Sequence, residues 1–150
     1  MTQRYWDDIA EGDSLDPVHF PLTVYRLVMA AGANRDFNAI HHNAEVARAS
    51  GAPDIYANTL LLQGMWERAV RQYIGLAGVI VRQSGFRMRI FNCPGDTVTV
   101  RGRVERAWRG DATSATGLIE IEVWSENAKG VSVGPGRVRA TLPLRPVTST

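Results

Sequence analysis

Side chains able to handle protons and oxygen crowd into the stretch Arg35-Asp36-Phe37-Asn38-Ala39-Ile40-His41-His42. The chain has only three histidines, and two of them stand side by side here. An imidazole titrates near neutrality, so it can take or give a proton under ordinary conditions. A carboxylate close to it can hold another proton or orient a water molecule. Asp36 and His41 are therefore a candidate pair for adding or removing water. Five residues turn a regular helix through about 500°, so the two cannot share one helical face. In a loop they can converge, and Asp36 and Asn38 favour turns through their own side-chain hydrogen bonds. Ile40 can anchor the loop in a core and aim His41 into a cleft. His42 points away from His41 in most backbone conformations, and no cysteine or third histidine lies at ligand spacing, so no metal site is expected.

The elements that must position this pair divide the chain into a mainly helical first half and a strand-rich second half. Ser14–Thr23, with two prolines, reads as an edge strand or extended entry segment. Thr23 caps a helix through Val24–Ala33 that is expected to stop near Gly32. The quoted stretch follows as a loop, and Asn43 to Gly51 reads as a short capped helix. From Asn58 as cap to Gly75 as stop runs the strongest helical signal, with Leu62, Met65, Trp66, Ala69, Val70 and Tyr73 at helical spacing. Leu60 and Leu61 widen its apolar face, so its N-terminal end is expected to be surrounded by protein. Gly64 inside it implies close packing or room for a ligand, with packing favoured.

Period-two alternation governs the remainder: Phe86, Met88 and Ile90; Val98, Val100 and Val104; Ile119, Ile121 and Val123; Val138, Ala140 and Leu142. Arginine, glutamate and threonine fill the intervening positions, as in antiparallel strands covered on one face. Gly134-Pro135-Gly136 shifts the phase of the last run and predicts a bulge or kink. The long helix is the only large apolar partner for such a sheet. The fold class is α+β, a curved antiparallel sheet laid against one main helix in a single domain over residues 1–150.

Composition sets outer bounds. The formal charge is +2 and 45% of residues are hydrophobic, an ordinary globular balance. The mild basic excess permits an anionic ligand. The strand-face arginines (87, 89, 101, 103, 137, 139) alternate with glutamates that can pair across strands and lack interleaved aromatics, so nucleic acid is not the expected partner. One cysteine, Cys93, permits no internal disulfide and reads as a passive turn residue. His19 reads as a surface or pocket-lining residue. No apolar run approaches the roughly 20 residues that span a bilayer, and the first residues carry acids instead of a hydrophobic stretch. A soluble cytoplasmic domain is expected.

The loop also resembles the hydratase motif Asp-x-Asn-Pro-x-His of the MaoC-like, (R)-specific enoyl-CoA hydratase/dehydratase family, here Asp36-Phe37-Asn38-Ala39-Ile40-His41. The opening Arg4–Asp13, the turn Cys93–Val98 and the segment Tyr56–Gly64 extend the similarity. Within the family, the combination of the loop with Gly51–Leu61 most resembles the small subunit of actinobacterial steroid side-chain enoyl-CoA hydratases. The resemblance implies a hot-dog fold, a sheet wrapped around a long central helix, and pairing of two hot dogs with the site near their interface. It implies that Asp36 and His41 activate one water for syn addition to a trans-2-enoyl thioester, or remove it in reverse. It places a backbone N–H donor for the thioester oxygen at Thr59, beside Asn58, with Asn38 in the motif as a further substrate-binding candidate.

Three departures stand out: Ala39 replaces the motif proline, Asn34-Arg35 replace small residues, and Asn58-Thr59 replace the usual His-Gly. A side chain at Thr59 narrows the oxyanion site unless it points away. Arg35 is a candidate for a phosphate or a partner acid. The expected activity is an acyl-thioester hydratase or dehydratase acting on coenzyme A thioesters, with no metal or redox cofactor. The expected partner is an identical chain or a related hot-dog subunit. The alternatives are an acyl-carrier-protein dehydratase, a hot-dog thioesterase and a non-catalytic subunit of a hot-dog heteromer.

Overall fold

A computed structural model describes residues 2–111 and 113–146; the outermost residues of the expected 1–150 domain lie outside that set. Among the described residues, five strands form one antiparallel sheet: β1 (Val18–Pro21), β2 (Val79–Ser84), β3 (Thr97–Trp108), β4 (Thr116–Asn127) and β5 (Gly130–Pro143). Their spatial order is β1-β3-β4-β5-β2, so β1 and β2 are the edges. Three α-helices accompany them: α1 (Val24–Ala33), α2 (Ala44–Ala49) and α3 (Thr59–Ile74). The sequence pattern explains the layers. Val98, Val100, Val104, Ile119, Ile121, Val123, Val138, Ala140 and Leu142 are all buried, each at alternate strand positions. Against them lie Leu62, Met65, Trp66, Ala69, Val70 and Tyr73 of α3, buried as the helical spacing predicts. Trp66 is fully buried and donates its indole N–H to Ser125 Oγ on β4 at 2.8 Å, which ties helix to sheet.

The outer sheet face is charged and paired. Arg139 bonds Glu120 at 2.9 Å, Arg137 bonds Glu105 at 2.6 Å, and Arg101 pairs with Glu126. The expected caps form: Thr23, Asn43 and Asn58 each accept backbone N–H groups at the starts of α1, α2 and α3. The kink at Gly134–Gly136 is also present. Val123 pairs with Gly136 and Ser125 with Val133, so β5 carries one extra residue opposite Trp124.

Three expectations are corrected. No strand forms over 86–90; Met88 makes only an isolated bridge to Val133, and both Arg89 and Ile90 N–H reach the same Ser132 oxygen. The neighbouring strand is instead β2, whose run Val79-Ile80-Val81-Arg82-Gln83-Ser84 lacks clean alternation because, at the sheet edge, both its faces are partly open. The start of α3 is not enclosed: Leu60 is 54% exposed and Leu61 half-buried. Nor does anything pack on Gly64, where an added Cβ would meet no atom within 4 Å.

Candidate active site

The site begins at the end of α1. Arg35 N–H bonds Gly32 O at 3.0 Å and Asp36 N–H bonds Ala31 O at 2.9 Å, with Arg35 at φ 58°. These two bonds and the left-handed residue between them form a Schellman closure, with arginine in the position glycine usually fills. Asp36 is thereby the residue whose backbone seals α1, and its side chain leaves from a fixed point. Asn38 then accepts Ile40 N–H on Oδ1 at 3.3 Å and caps a 3₁₀ turn, Ala39–His41. Ile40 packs against the core and His41 is buried. The chain reverses within five residues, and His41 Nε2 comes to 3.1 Å from Asp36 Oδ2.

The other ring nitrogen, Nδ1, lies 2.7 Å from the backbone oxygen of Tyr56. A carbonyl oxygen can only accept, so Nδ1 donates and carries a proton. Nε2 then faces the carboxylate across 3.1 Å, a distance at which the two groups can share a proton. Asp36 is partly open, with its side chain 36% exposed, while the ring is enclosed. Tyr56 meets the imidazole edge-on at 5.3 Å and Phe91 at 4.8 Å, giving the pair one aromatic wall. Burial, and secondly the Asp36 charge, push the Tyr56 phenol above its ordinary range.

Three residues beyond Tyr56, α3 begins. Asn58 Oδ1 accepts Leu61 N–H at 2.9 Å and Asn34 Nδ2 at 3.2 Å. Asn34 sits two residues before Asp36, so the segment holding the carboxylate is latched to the helix start. Leu62 N–H bonds Asn58 O, whereas the N–H groups of Thr59 and Leu60 have no acceptor among the described residues. The Thr59 side chain is turned aside: its hydroxyl donates to Met88 Sδ at 3.7 Å. Alongside runs an open groove of about 450 Å³ lined by Ala30, Ala33, Asn34, Leu60, Gly64 and Met65, among others. Segment 55–57 is braced from beneath by Ala57 N–H on Asn92 O at 2.9 Å, and Asn92 is itself buried and bonded by Asn127.

Of the residues singled out from sequence, Asp36 and His41 meet. Asn58 and Thr59 stand at the helix start that the same loop is latched to. Asn38 is exposed and its side-chain oxygen is spent on building the turn. Asn34 as latch and Tyr56 as the residue that orients His41 were not foreseen. No sequence signal pairs Asn34 with Asn58, 24 positions away, and Tyr56 acts through its backbone oxygen, which no side-chain pattern reveals. Arg35 and His42 are exposed, His19 bonds Thr99 Oγ1 at 3.0 Å on the surface, and burial, with Asp96 second, raises the Cys93 thiol pKa. Among the described residues no group of three or more His, Cys, Asp or Glu could hold a metal, and no helix is long and apolar enough to cross a membrane.

A curled five-stranded antiparallel sheet packed on a long helix is the hot-dog fold of MaoC-like hydratases and dehydratases. No family model matches the chain. The 3-oxo-4,17-pregnadiene-20-carboxyl-CoA hydratase beta subunit of Mycobacterium tuberculosis is 32% identical over 104 residues, covering 69% of this chain and 74% of that protein. The chain belongs to the MaoC-like hydratase/dehydratase family. The crystal structure of the ChsH1-ChsH2 complex from Mycobacterium tuberculosis superimposes with a TM-score of 0.74 at 28% identity, over 91% of this chain and 98% of that one. The MaoC-like dehydratase from Rhodospirillum rubrum shares the fold with a TM-score of 0.78 at 18% identity, over 96% and 99% of the two chains.

Proposed function

We propose that this chain catalyses reversible syn addition of water to a trans-2-enoyl-CoA, giving a 3-hydroxyacyl-CoA. The observation that carries the reading is the 3.1 Å approach of His41 Nε2 to Asp36 Oδ2, with Nδ1 held on the Tyr56 oxygen. The pair starts with one shared proton. A water bound against both groups attacks C3 of the enoyl thioester and gives a proton to the pair. The π electrons move to C2 and onto the thioester oxygen, and the proton first held by the pair is delivered to C2. The pair ends as it began, having exchanged one proton for another. Hydroxyl and proton come from one cluster, so they add to the same face. The free Thr59 N–H at the positive end of α3 suits the oxygen on which charge develops.

The groove along α3 offers apolar space for an acyl chain; it adjoins the carboxylate segment through Asn34 and is not lined by Asp36, His41 or Thr59. Similarity to the M. tuberculosis pregnadiene-carboxyl-CoA hydratase beta subunit supports a steroid-derived acyl group, and the groove's apolar walls are compatible with one. The partner in this reading is a second hot-dog subunit, as in the two-component complex that the chain resembles. Exposed apolar side chains, among them Tyr25, Met29 and Leu60, support such a covered assembly.

The test is hydration of linear and steroid-like trans-2-enoyl-CoA substrates by the purified chain, alone and with a co-expressed hot-dog partner. Asp36→Asn and His41→Ala are each expected to lower kcat by about 100-fold or more. Release of free thiol would indicate a thioesterase instead. Equal activity on acyl-carrier-protein thioesters would redirect the assignment to that carrier. Parent-like hydration by both variants would place catalysis on the partner and leave this chain a structural subunit.

A further inference from the structure

We propose that the side-chain amide of Asn58 is a second donor to the thioester carbonyl oxygen, acting beside the backbone N–H of Thr59. This rests on the hydratase reading above and adds to it a group that binds the reacting oxygen. Asn58 is only 3% exposed, and its Nδ2 has no hydrogen-bond partner among the described residues. A buried amide with an unused donor is rare and expensive in native proteins. The amide cannot be turned over to cure this. Its oxygen already receives two donors, Leu61 N–H at 2.9 Å and Asn34 Nδ2 at 3.2 Å, and flipping it would set nitrogen against both. The amide orientation is therefore fixed by its oxygen, and the NH2 group is left without an acceptor among the described residues.

An oxygen brought to the start of α3 would supply that acceptor, reaching an amide that the folded chain keeps covered. A carbonyl oxygen has two lone pairs, so the Thr59 N–H and the Asn58 amide can bind it together. Both bonds strengthen as the carbonyl becomes an enolate oxygen, which is the condition for a donor to raise kcat. Asn34 acts through Asn58 as a positioning residue. It also links the two halves of the site, since Asp36 follows it by two residues on the same helix closure.

Two variants separate this role from capping. Asn58→Asp keeps an oxygen for Leu61 and Asn34 but replaces the donor; Asn58→Ser keeps the helix cap alone. Both are expected to remain folded at assay temperature, to hold KM for a trans-2-enoyl-CoA within a few-fold, and to lose about 100-fold or more in kcat. In the 15N-labelled parent, the Asn58 side-chain resonances, identified by their absence in the serine variant, are expected to move downfield on saturation with butanoyl-CoA, which cannot be hydrated. Asn58→Ser hydrating at the parent rate while Asp36→Asn does not would overturn the inference and leave the hydratase reading intact. So would side-chain resonances that stay still while the Asp36 amide shifts, the behaviour of an amide that merely holds a buried water. No hydration by the parent chain, even with its partner, would overturn both.

Discussion

The imidazole of His41 and the backbone oxygen of Tyr56 are 2.7 Å apart, and this contact decides which ring nitrogen keeps a proton. Because the carbonyl can only accept, the neutral ring is the Nδ1–H tautomer, with Nε2 turned to Asp36. Long-range 1H–15N NMR of the neutral histidine is expected to show Nδ1 as the protonated nitrogen. In Asp36→Asn the same tautomer should persist, because the bond that sets it does not involve the carboxylate. An Nε2–H tautomer in the parent would mean that Tyr56 does not orient the ring, and the proton exchange described above would lose its geometry.

Arg35 occupies the left-handed position of the closure at the end of α1, with φ 58°. A side chain there costs about 1 kcal/mol relative to glycine, because Cβ crowds the neighbouring carbonyl. Arg35→Gly is expected to preserve both closure bonds and to stabilise the protein by up to about 1 kcal/mol, less what glycine adds to the freedom of the unfolded chain. Urea denaturation measures this. If the guanidinium also meets a substrate phosphate, KM for the CoA thioester should rise with kcat unchanged, which separates the backbone role from a charge role.

What the sequence disclosed follows from which physical signals are local. The stripe Leu62–Tyr73 and the alternation of Val98, Val100 and Val104 are periodic, and burial follows period, so core and layers could be read directly. Caps at Thr23, Asn43 and Asn58 are three-residue interactions and were equally legible. The end of α1 near Gly32 was equally legible, but its closure was not: an arginine takes the left-handed turn three residues after that glycine. Edge strand β2 escaped because a strand open on both faces has no alternation to display. In the candidate site, the Asp36–His41 spacing was visible, but the contacts that hold the pair in place are not. Asn34 reaches Asn58 across 24 positions and His41 reaches Tyr56 across 15, through groups whose pairing only the folded chain defines.

Alkaline titration offers a test of the opposite end of α3. Burial of Tyr73, with the Asp13 carboxylate beside its hydroxyl at 3.4 Å, pushes its phenol up to about 12 from an ordinary 10.0. The unfolded chain therefore gives up this proton first. Above about pH 10 the folded state binds more protons than the unfolded one, so stability falls as pH rises toward 12. Up to roughly 2–3 kcal/mol is at stake in that window, at about 1.4 kcal/mol per unit. Denaturation midpoints of the parent should drop more steeply above about pH 10 than those of Tyr73→Phe, while the two run parallel at neutral pH. Equal slopes would show that the phenol is freely ionised in the folded protein.

Two glycines should answer alanine substitution in opposite ways. At Gly134, φ is +82° and an added Cβ would lie 2.9 Å from Trp66 Cζ2 and 3.0 Å from Gly136 N. The ring cannot retreat without breaking its bond to Ser125, because it is fully buried and fixed at its nitrogen. Gly134→Ala is therefore expected to cost about 2 kcal/mol or more, from strain at positive φ added to overpacking. At Gly64, in the middle of α3, no atom lies within 4 Å of the added Cβ. Alanine there removes the helix penalty of glycine, so Gly64→Ala should stabilise the isolated chain by about 0.5–1 kcal/mol. Thermal unfolding of the two variants alone, then with a hot-dog partner and an acyl-CoA present, distinguishes what the space at Gly64 is for. A gain in the isolated chain that turns into weaker subunit association would show that the partner's surface fills it. A gain kept in the complex, with a raised KM for bulky acyl groups only, would show that the groove receives the substrate.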